Sequence, residues 1–325
     1  MITERSVIGM FYDMLNENIG ATWLDAISTV PMVSDQDSED YAWMGMAPAM
    51  SEMRGEKKFS QLRETTWAVK NVLYQGGIVL PKNHILYDKT GQIEVRTREL
   101  AERTNSHWAK LIGPLLLNGA TTVCYDGQFF YDTDHLEGDS GTQSNSISVT
   151  ISAIPVAVHG TTTAPSAAEF IHCVLKGIQN IIAFKDDQGE YVNENLNEFM
   201  VTVPSGFLVQ ALSALKASLV DGGDSNLLLS SEGNFKINIQ ALARLSSWTN
   251  KFAVHATGGV QKPFIRQQRS PNNSAPGYSQ EGLLLETLWV DSEHCKKNNT
   301  CLVSVESERA AAYGDWKKSC LVTLA

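Results

Sequence analysis

The stretch 92–117 constrains the fold more than any other part of this sequence, because it predicts one long amphipathic helix. Its apolar positions recur at helical spacing and form a single stripe. The stripe consists of Ile93, Leu100, Ala101, Thr104, Trp108, Leu111, Ile112 and Leu115. Asn118–Gly119 is a typical stop signal, and Pro114 is expected to distort the last turn.

Shorter helices and many separate strands are predicted around this long helix. Thr3 caps a predicted helix over 3–16, a Ser166/Glu169 capping box starts another, and a third runs over about 205–219. Strands are predicted at 147–158, 198–203, 235–240, 252–256, 283–290, 301–306 and 320–324. Long helices set apart from scattered strands indicate an α+β fold rather than alternating βαβ units.

Charge is distributed unevenly near the N-terminus. Residues 1–50 carry eight acidic residues against one basic residue, a net charge of −7, whereas residues 51–70 have a net charge of +2. The acidic stretch has too little periodic apolar content to form a core by itself, so we expect it to lie on something else. Strand-forming residues from Phe59 to Pro81 predict a hairpin, read either as a solvated surface feature or as an extended arm.

Composition excludes several classes of protein. The net charge of −10 argues against a general polyanion binder. No window is apolar enough to span a membrane, and the N-terminus lacks a secretory pattern. The five cysteines are therefore expected to be free thiols in a reducing compartment. Cys295 and Cys301 flank a predicted hairpin, and their spacing is wrong for zinc.

The run 118–145 resembles an active site, since Asp126, Asp132, Asp134 and His135 fall within ten residues. One hypothesis is a metal-dependent hydrolase that uses Asp132, Asp134 and His135. If the run were a strand, Asp132 and Asp134 would share a face and His135 would lie opposite. The favoured interpretation is a structural loop, in which Asp126–Gly127 forms a turn and Asp134 and His135 bond the backbone. Nucleotide-binding, nucleophile-elbow and HExxH motifs are missing.

A second basic cluster, in the segment KPFIRQQR, also has two interpretations. Lys262, Arg266 and Arg269 would suit an anion. A solvated or salt-bridged strand edge is favoured, since such edges are common at protein surfaces.

Several segments resemble one known family. They are Tyr41–Gly45, Met53–Lys57, Tyr125–Gln128, Asp132–His135 and Ser144–Asn145, with weaker similarity at Lys262–Ile265 and Ala312–Trp316. Together they resemble the major head subunit of Mu-like tailed phages, although the family typically has Trp near Met53 and Arg near Lys57. Residues 183–250 contribute nothing to the resemblance.

The resemblance implies the Hong Kong-type capsid fold. Its expected parts are an N-terminal arm (1–46), an extended loop (47–75), a peripheral domain (76–182, with spine helix 92–117), an axial domain (183–270) and return strands (271–325). The implied function is a shell subunit that forms hexamers and pentamers around double-stranded DNA, with no catalytic residue, cofactor or metal. Scaffold, portal and decoration proteins are the implied partners, and the virion, after the host cytoplasm, is the implied location.

An encapsulin-like compartment shell is the second hypothesis, because such shells share this fold. In either shell, the arm and the loop are expected to be ordered on a neighbouring subunit. The side chains expected at that contact are Trp43, Met44, Arg54, Lys57, Lys58, Phe59, Arg63 and Trp67.

Overall fold

The computed structural model of this chain describes residues 3–17, 23–43, 65–88, 90–216, 219–220, 224–225, 235–269 and 282–325. Its α-helices are α1 (Glu4–Asn16), α2 (Leu24–Ile27), α3 (Lys82–Tyr87), α4 (Gln92–Asn118), α5 (Ala167–Ile182), α6 (Leu208–Lys216) and α7 (Glu293–Asn298). Its strands are β1 (Met32–Ser34), β2 (Ser38–Trp43), β3 (Thr65–Lys70), β4 (Val72–Pro81), β5 (Ser146–Val149), β6 (Glu198–Pro204), β7 (Leu219–Val220), β8 (Asp224–Ser225), β9 (Lys236–Leu242), β10 (Lys251–Ala256), β11 (Phe264–Arg269), β12 (Leu283–Leu288), β13 (Thr300–Tyr313) and β14 (Ser319–Leu324).

A five-stranded sheet is built around β13, a strand of fourteen residues. It pairs antiparallel with β4, β12 and β11, and β1 adds to β11 in parallel. Alternate residues of β13 are buried along most of its length, as expected for a sheet with one face against a core. Val303 and Val305 on that face pack with Leu100 of α4, so the predicted long helix covers this sheet.

Helix α1 packs on α4 of the same chain, which corrects the expectation that the whole arm needs a neighbouring subunit. Val7, Phe11 and Leu15 are buried in one cluster with Leu100, and the Leu15 carbonyl accepts a hydrogen bond from the Asn105 amide at 3.0 Å. The apolar residues of α1 lie at helical spacing and form one face. That face is buried against α4 of the same chain, so α1 needs no neighbouring subunit to cover it.

A second five-stranded sheet has the order β5-β14-β10-β6-β9 and lies against α5 and α6. Strands β10 and β6 are buried along almost their whole length, which suits central strands covered on both faces. The capping box predicted for α5 is present, with Ser166 accepting from the Glu169 amide and Glu169 bonding back to Ser166. This sheet shares its core with the C-terminal half of α4 through Trp108, Ile112 and Leu116.

The hairpin stem is the antiparallel pair β2–β3, with Ser38 opposite Lys70 and Trp43 opposite Thr65. Residues 44–64, between the two strands, lie outside the described part of the chain. The next strand, β4, starts at Val72 and belongs to the β13 sheet. The described pairing of the stem therefore runs from Ser38–Trp43 to Thr65–Lys70.

Three local predictions are wrong. Only Ser146–Val149 of the predicted strand 147–158 is extended, because a 3-10 turn follows at Ile151–Ala153. The helix predicted over about 205–219 starts where expected, with a 3-10 turn at Ser205–Phe207, but its α-helical part ends at Lys216, and Leu219 belongs to strand β7.

The third wrong prediction concerns the cysteines. Cys295 and Cys301 form a disulfide instead of free thiols, and Cys295 lies in helix α7 rather than at a hairpin. Ser292 caps that helix and Asn299 ends it in the left-handed conformation, which turns the chain back toward Cys295. Cys124, Cys173 and Cys320 are free and buried, as expected.

The basic cluster at 262–269 is internally paired, so the predicted salt bridges are confirmed for Arg266 and Arg269, but β11 lies between β1 and β13 and is not a strand edge. Arg266 is buried and contacts Asp25 at 2.5 Å, and Arg269 contacts Glu308 at 2.7 Å. The Lys262 ammonium donates to the carbonyls of Ala26 and Thr257. Across the described residues, no helix combines the length and the apolar character needed to cross a membrane.

Candidate functional site

The candidate site is the polar loop, residues 119–145, which runs from the end of α4 to the start of β5. Gly119 starts it at a point of close approach, because a Cβ atom there would lie 2.4 Å from the Tyr131 ring. The Tyr131 amide donates to the Gly119 carbonyl at 2.8 Å. Glycine is therefore needed at this position to let the returning loop touch the helix end.

Asp126, His135 and Cys124 meet in the interior of the loop. The Asp126 carboxylate lies 2.6 Å from Nδ1 of His135 and also accepts from the Cys124 thiol and the Gln128 amide, both at 3.0 Å. Although burial raises the pKa of Asp126, the hydrogen bonds from His135 and Cys124 lower it overall. The His135 ring is fully buried and stacks on Trp316, with centroids 4.0 Å apart.

Asn145 closes the other end of the loop. Its amide nitrogen donates to the Phe130 carbonyl at 2.6 Å and its amide oxygen accepts from the Asp132 amide at 2.9 Å. The same nitrogen reaches the Trp316 carbonyl at 3.3 Å. Because Asn145 is fully buried, each of these bonds satisfies a backbone group that water does not reach.

A buried ion pair ties the loop to the C-terminal segment. Glu137 contacts Lys317 at 2.6 Å and accepts from the Tyr125 hydroxyl at 2.6 Å and from the Trp316 indole at 3.0 Å. Burial, the largest influence, lowers the pKa of Lys317, yet Asp315 and Glu137 raise it above its ordinary value overall. Burial and the same two carboxylates raise the pKa of Tyr125 well above its ordinary value.

The structure does not bring Asp132, Asp134 and His135 together, so the hydrolase triad is wrong. The loop does not form a strand there, Asp134 is exposed, and the Asp132 carboxylate accepts from the Phe129 and Thr133 amides. His135 bonds through its backbone to Gln143 and through its ring to Asp126. The predicted backbone bonding is therefore supplied by Asp126, Asp132 and Asn145, and the expectation for Asp134 is corrected.

Cys124, Asp126 and His135 are the one group of three possible metal ligands among the described residues, with ligand atoms within 4.8 Å of one another. Burial and the Asp126 charge raise the pKa of the Cys124 thiol, which donates to Asp126 as a neutral group. The three groups already bond to each other, and these bonds hold the loop in place.

Of the residues predicted at a subunit contact, the structure describes the side chain of one. Trp67 is half-buried beside Tyr41 and packs against Val69, Ala310 and Ala312 of its own chain. Trp43 ends β2, and its side chain lies outside the description. Also outside it are Met44, Arg54, Lys57, Lys58, Phe59 and Arg63.

The sequence analysis did not identify Glu137 and Lys317 as site residues, although two nearby segments could have indicated them. Two of the segments that resembled the same family, 125–135 and 312–316, meet in space where His135 stacks on Trp316. Their neighbours Glu137 and Lys317 complete that contact.

Comparison with known families agrees with the resemblance. A family model described as Mu-like prophage major head subunit gpT matches residues 6–156. The chain resembles this head-subunit family. The matched stretch contains the hairpin stem, α4 and the whole polar loop, so the resemblance predicted from short segments is confirmed.

Two curated relatives carry matching names. The Mu-like prophage FluMu major head subunit of Haemophilus influenzae is 31% identical over 38% of this chain. The major capsid protein of Escherichia phage Mu is 28% identical over 31% of it. The chain spans 40% and 33% of these relatives' own lengths.

Solved capsid structures share the fold along nearly the whole chain. The procapsid of bacteriophage JBD30 matches 100% of this chain and 77% of its own, with a TM-score of 0.52 and 15% identity. The virus-like particle of Pyrococcus furiosus matches 98% of both chains, with a TM-score of 0.53 and 9% identity. The α+β tailed-phage capsid fold is thereby confirmed.

Proposed function

We propose that this chain is a major capsid subunit of a Mu-like phage, a structural protein that assembles with its own copies and catalyses no reaction. The observation that carries the proposal is the family match over residues 6–156. The fold likeness along the rest of the chain supports it. The subunit would form hexamers and pentamers of an icosahedral head around double-stranded DNA.

We propose that the chain is divided into the parts expected for the capsid fold. The arm is 1–46, the extended loop 47–75, the peripheral domain 76–182, the axial domain 183–270, and residues 271–325 supply return strands. Scaffold and portal proteins, and in some heads decoration proteins, would be partners, with packaged DNA contacted without sequence specificity. The subunit would occupy the host cytoplasm before assembly and the virion afterwards.

The proposed subunit contact lies on the hairpin, both at the stem and beyond it. Side chains of Trp43, Met44, Phe59 and Trp67 would supply apolar area, at about 25 cal/mol per Å² of buried surface. Arg54, Lys57, Lys58 and Arg63 would meet carboxylates of the neighbour, where exposed pairs add only about 0–1 kcal/mol each and mainly set register.

A compartment shell of the encapsulin type is the second candidate. Its support is the fold alone, which this chain shares with a virus-like particle of Pyrococcus furiosus. The named relatives favour the phage head, because both are phage or prophage proteins. A metal-dependent hydrolase has no support, because the polar loop separates the groups it would need.

Electron microscopy of the expressed protein tests the proposal. Negatively stained preparations should contain closed particles that package DNA when phage packaging functions are present. Nuclease treatment followed by extraction distinguishes the two shells, since a head protects double-stranded DNA and a compartment contains an enzyme instead. A protein that forms only small oligomers would contradict both shell hypotheses.

A further inference from the structure

A groove of about 620 Å³ opens between α4 and the start of β4. Its floor includes Gly76 and Ile78 of β4, and Leu283 and Val305 add apolar surface. One wall is the exposed face of α4. This groove is separate from the polar loop, and the described side chain of Trp67 does not line it.

The α4 wall of the groove is basic. Arg96, Arg103 and Lys110 follow one another at intervals of seven residues, so they lie along nearly one face of the helix. Glu99 holds the first two in place, at 2.7 Å from Arg96 and 2.9 Å from Arg103. Across the whole lining, five basic side chains outnumber two acidic ones; they are Arg96, Arg103, Lys110, Arg244 and Arg309 against Glu99 and Glu306.

Burial and the positive charges around the groove lower the pKa of a histidine in its lining. His107 lines it beside Tyr74, with ring centroids 4.4 Å apart. Burial and the charges of Arg309, Lys110 and Arg244 lower the pKa of His107 to about 4. His107 is therefore neutral near pH 7, and the positive field of the groove comes from the permanently charged side chains.

The same chain presents a surface with the opposite charge. The acidic corner, residues 35–40, leads into β2 and contains Asp35, Asp37, Glu39 and Asp40. Within this corner, Asp37 lies 3.8 Å from Lys70, where both side chains are at least 70% exposed and the attraction is screened by solvent. Directly before it, Val30, Met32 and Val33 are exposed apolar residues.

We propose that the acidic corner of one copy docks in the basic groove of a second copy, with Val30, Met32 and Val33 against its apolar wall. Charge and apolar surface match on both sides. Because groove and corner are different surfaces, the contact is head-to-tail, the type of contact that forms the ring of a capsomer when the rotation between neighbouring copies closes. The inference rests on the proposed self-assembly and adds a specific contact to it.

Packaged DNA fits the groove less well. Glu99 and Glu306 line the groove and would repel phosphates. Its apolar floor also has no counterpart on a phosphate backbone. A peptide segment that carries both carboxylates and aliphatic side chains matches every part of the lining.

Charge reversal tests the contact. Arg103→Glu with Lys110→Glu should reduce particle yield at least about tenfold, because the groove then repels the corner. Asp37→Lys with Asp40→Lys should do the same, and the chain with all four changes should recover to within about threefold of the original. Lys296→Glu with Lys297→Glu, two exposed positions on α7, is the matched control and should leave the yield unchanged. Thermal melts verify that each variant folds.

Zero-length carbodiimide crosslinking shows whether the groove and the corner in contact belong to different copies. Particles assembled from a mixture of ¹⁵N-labelled and unlabelled chains should yield crosslinked peptides that join Lys110 to Asp37 or Asp40 with mixed isotope content. Absence of rescue in the fourfold variant, or crosslinks within single copies only, would overturn the inference while leaving particle formation intact. Normal particle yield with reduced DNA content in the groove variant would assign the groove to DNA instead. If the unaltered chain forms no particles, the proposed function fails as well.

Discussion

At the scale of single residues, Asp126 serves three neighbours at once: the His135 ring, the Cys124 thiol and the Gln128 amide. Asp126→Asn should lower the free energy of unfolding by about 1.5–3 kcal/mol, the range for a hydrogen bond to a charged group. Asp134→Asn is the matched control, since Asp134 is exposed, and should stay within about 0.5 kcal/mol. Urea denaturation compares the two, and equal midpoints for Asp126→Asn and the unaltered protein would contradict the anchoring role.

The pH dependence of stability follows from the same carboxyl. Its pKa in the folded chain lies below the ordinary value of 3.8, so the unfolded chain takes up the proton at a higher pH. The stabilisation is fully present above that value and is lost as the pH falls through the folded pKa. Melting temperatures measured from neutral to strongly acidic pH should fall less steeply for Asp126→Asn. If the melting temperatures of the two proteins fell equally steeply with decreasing pH, this assignment to Asp126 would be refuted.

The structural interpretation of the polar loop was accessible from the sequence, but the identity of its anchors was not. Asp126–Gly127 forms the predicted turn, with Gly127 in the left-handed region. Spacing placed Asp132, Asp134 and His135 together because they are neighbours in sequence. The burial of His135 depends instead on Trp316, which is distant in the chain, so local spacing carried no information about it.

At the scale of elements, the junction between α4 and the polar loop depends on one glycine. Gly119→Ala should destabilise the chain by about 1–3 kcal/mol, because the added methyl overlaps the Tyr131 ring. Gly9→Ala is the matched control: Gly9 lies inside α1 with nothing within 4 Å of the added methyl. There the change should stabilise by about 0.5–1 kcal/mol through helix propensity. Thermal or urea melts that show the same sign for both changes would argue against the close approach.

The disulfide is the second feature at this scale. It joins Cys295 and Cys301, six residues apart, beneath α1 and α4 in the core of the β13 sheet. For so short a loop, reduction should lower stability by about 2 kcal/mol. The double variant Cys295→Ala with Cys301→Ala should be insensitive to reductant. A melt of the unaltered protein that reductant does not shift would show that the bond contributes nothing.

Elements with strong local signals were predictable, and those set by packing were not. The α4 stripe and the Ser166/Glu169 box specify their helices through contacts within a few residues. The length of β13 could not be anticipated, because its fourteen residues are held by three different partner strands. Free thiols were expected for Cys295 and Cys301 because a reducing compartment was assumed. The turn that ends α7 brings these two cysteines together, and they form a disulfide.

At the scale of the whole molecule, the account requires the hairpin to join subunits. Replacing residues 48–61 with a short Gly/Ser linker keeps both strands of the stem, Ser38–Trp43 and Thr65–Lys70, in place. The monomer should fold normally by circular dichroism, because the described cores lie outside the replaced segment. Assembly should be abolished. A folded variant that still builds closed shells at normal yield would show that the loop does not interlock the subunits.

Sedimentation velocity of the unaltered chain tests the central claim most directly, because a shell subunit and a small soluble oligomer differ enormously in particle mass. The account predicts a dominant, fast-sedimenting species of closed particles, each built from many copies of this 35.7 kDa chain. A sample that sediments only as a monomer or small oligomer, under conditions in which the fold is intact, would contradict it.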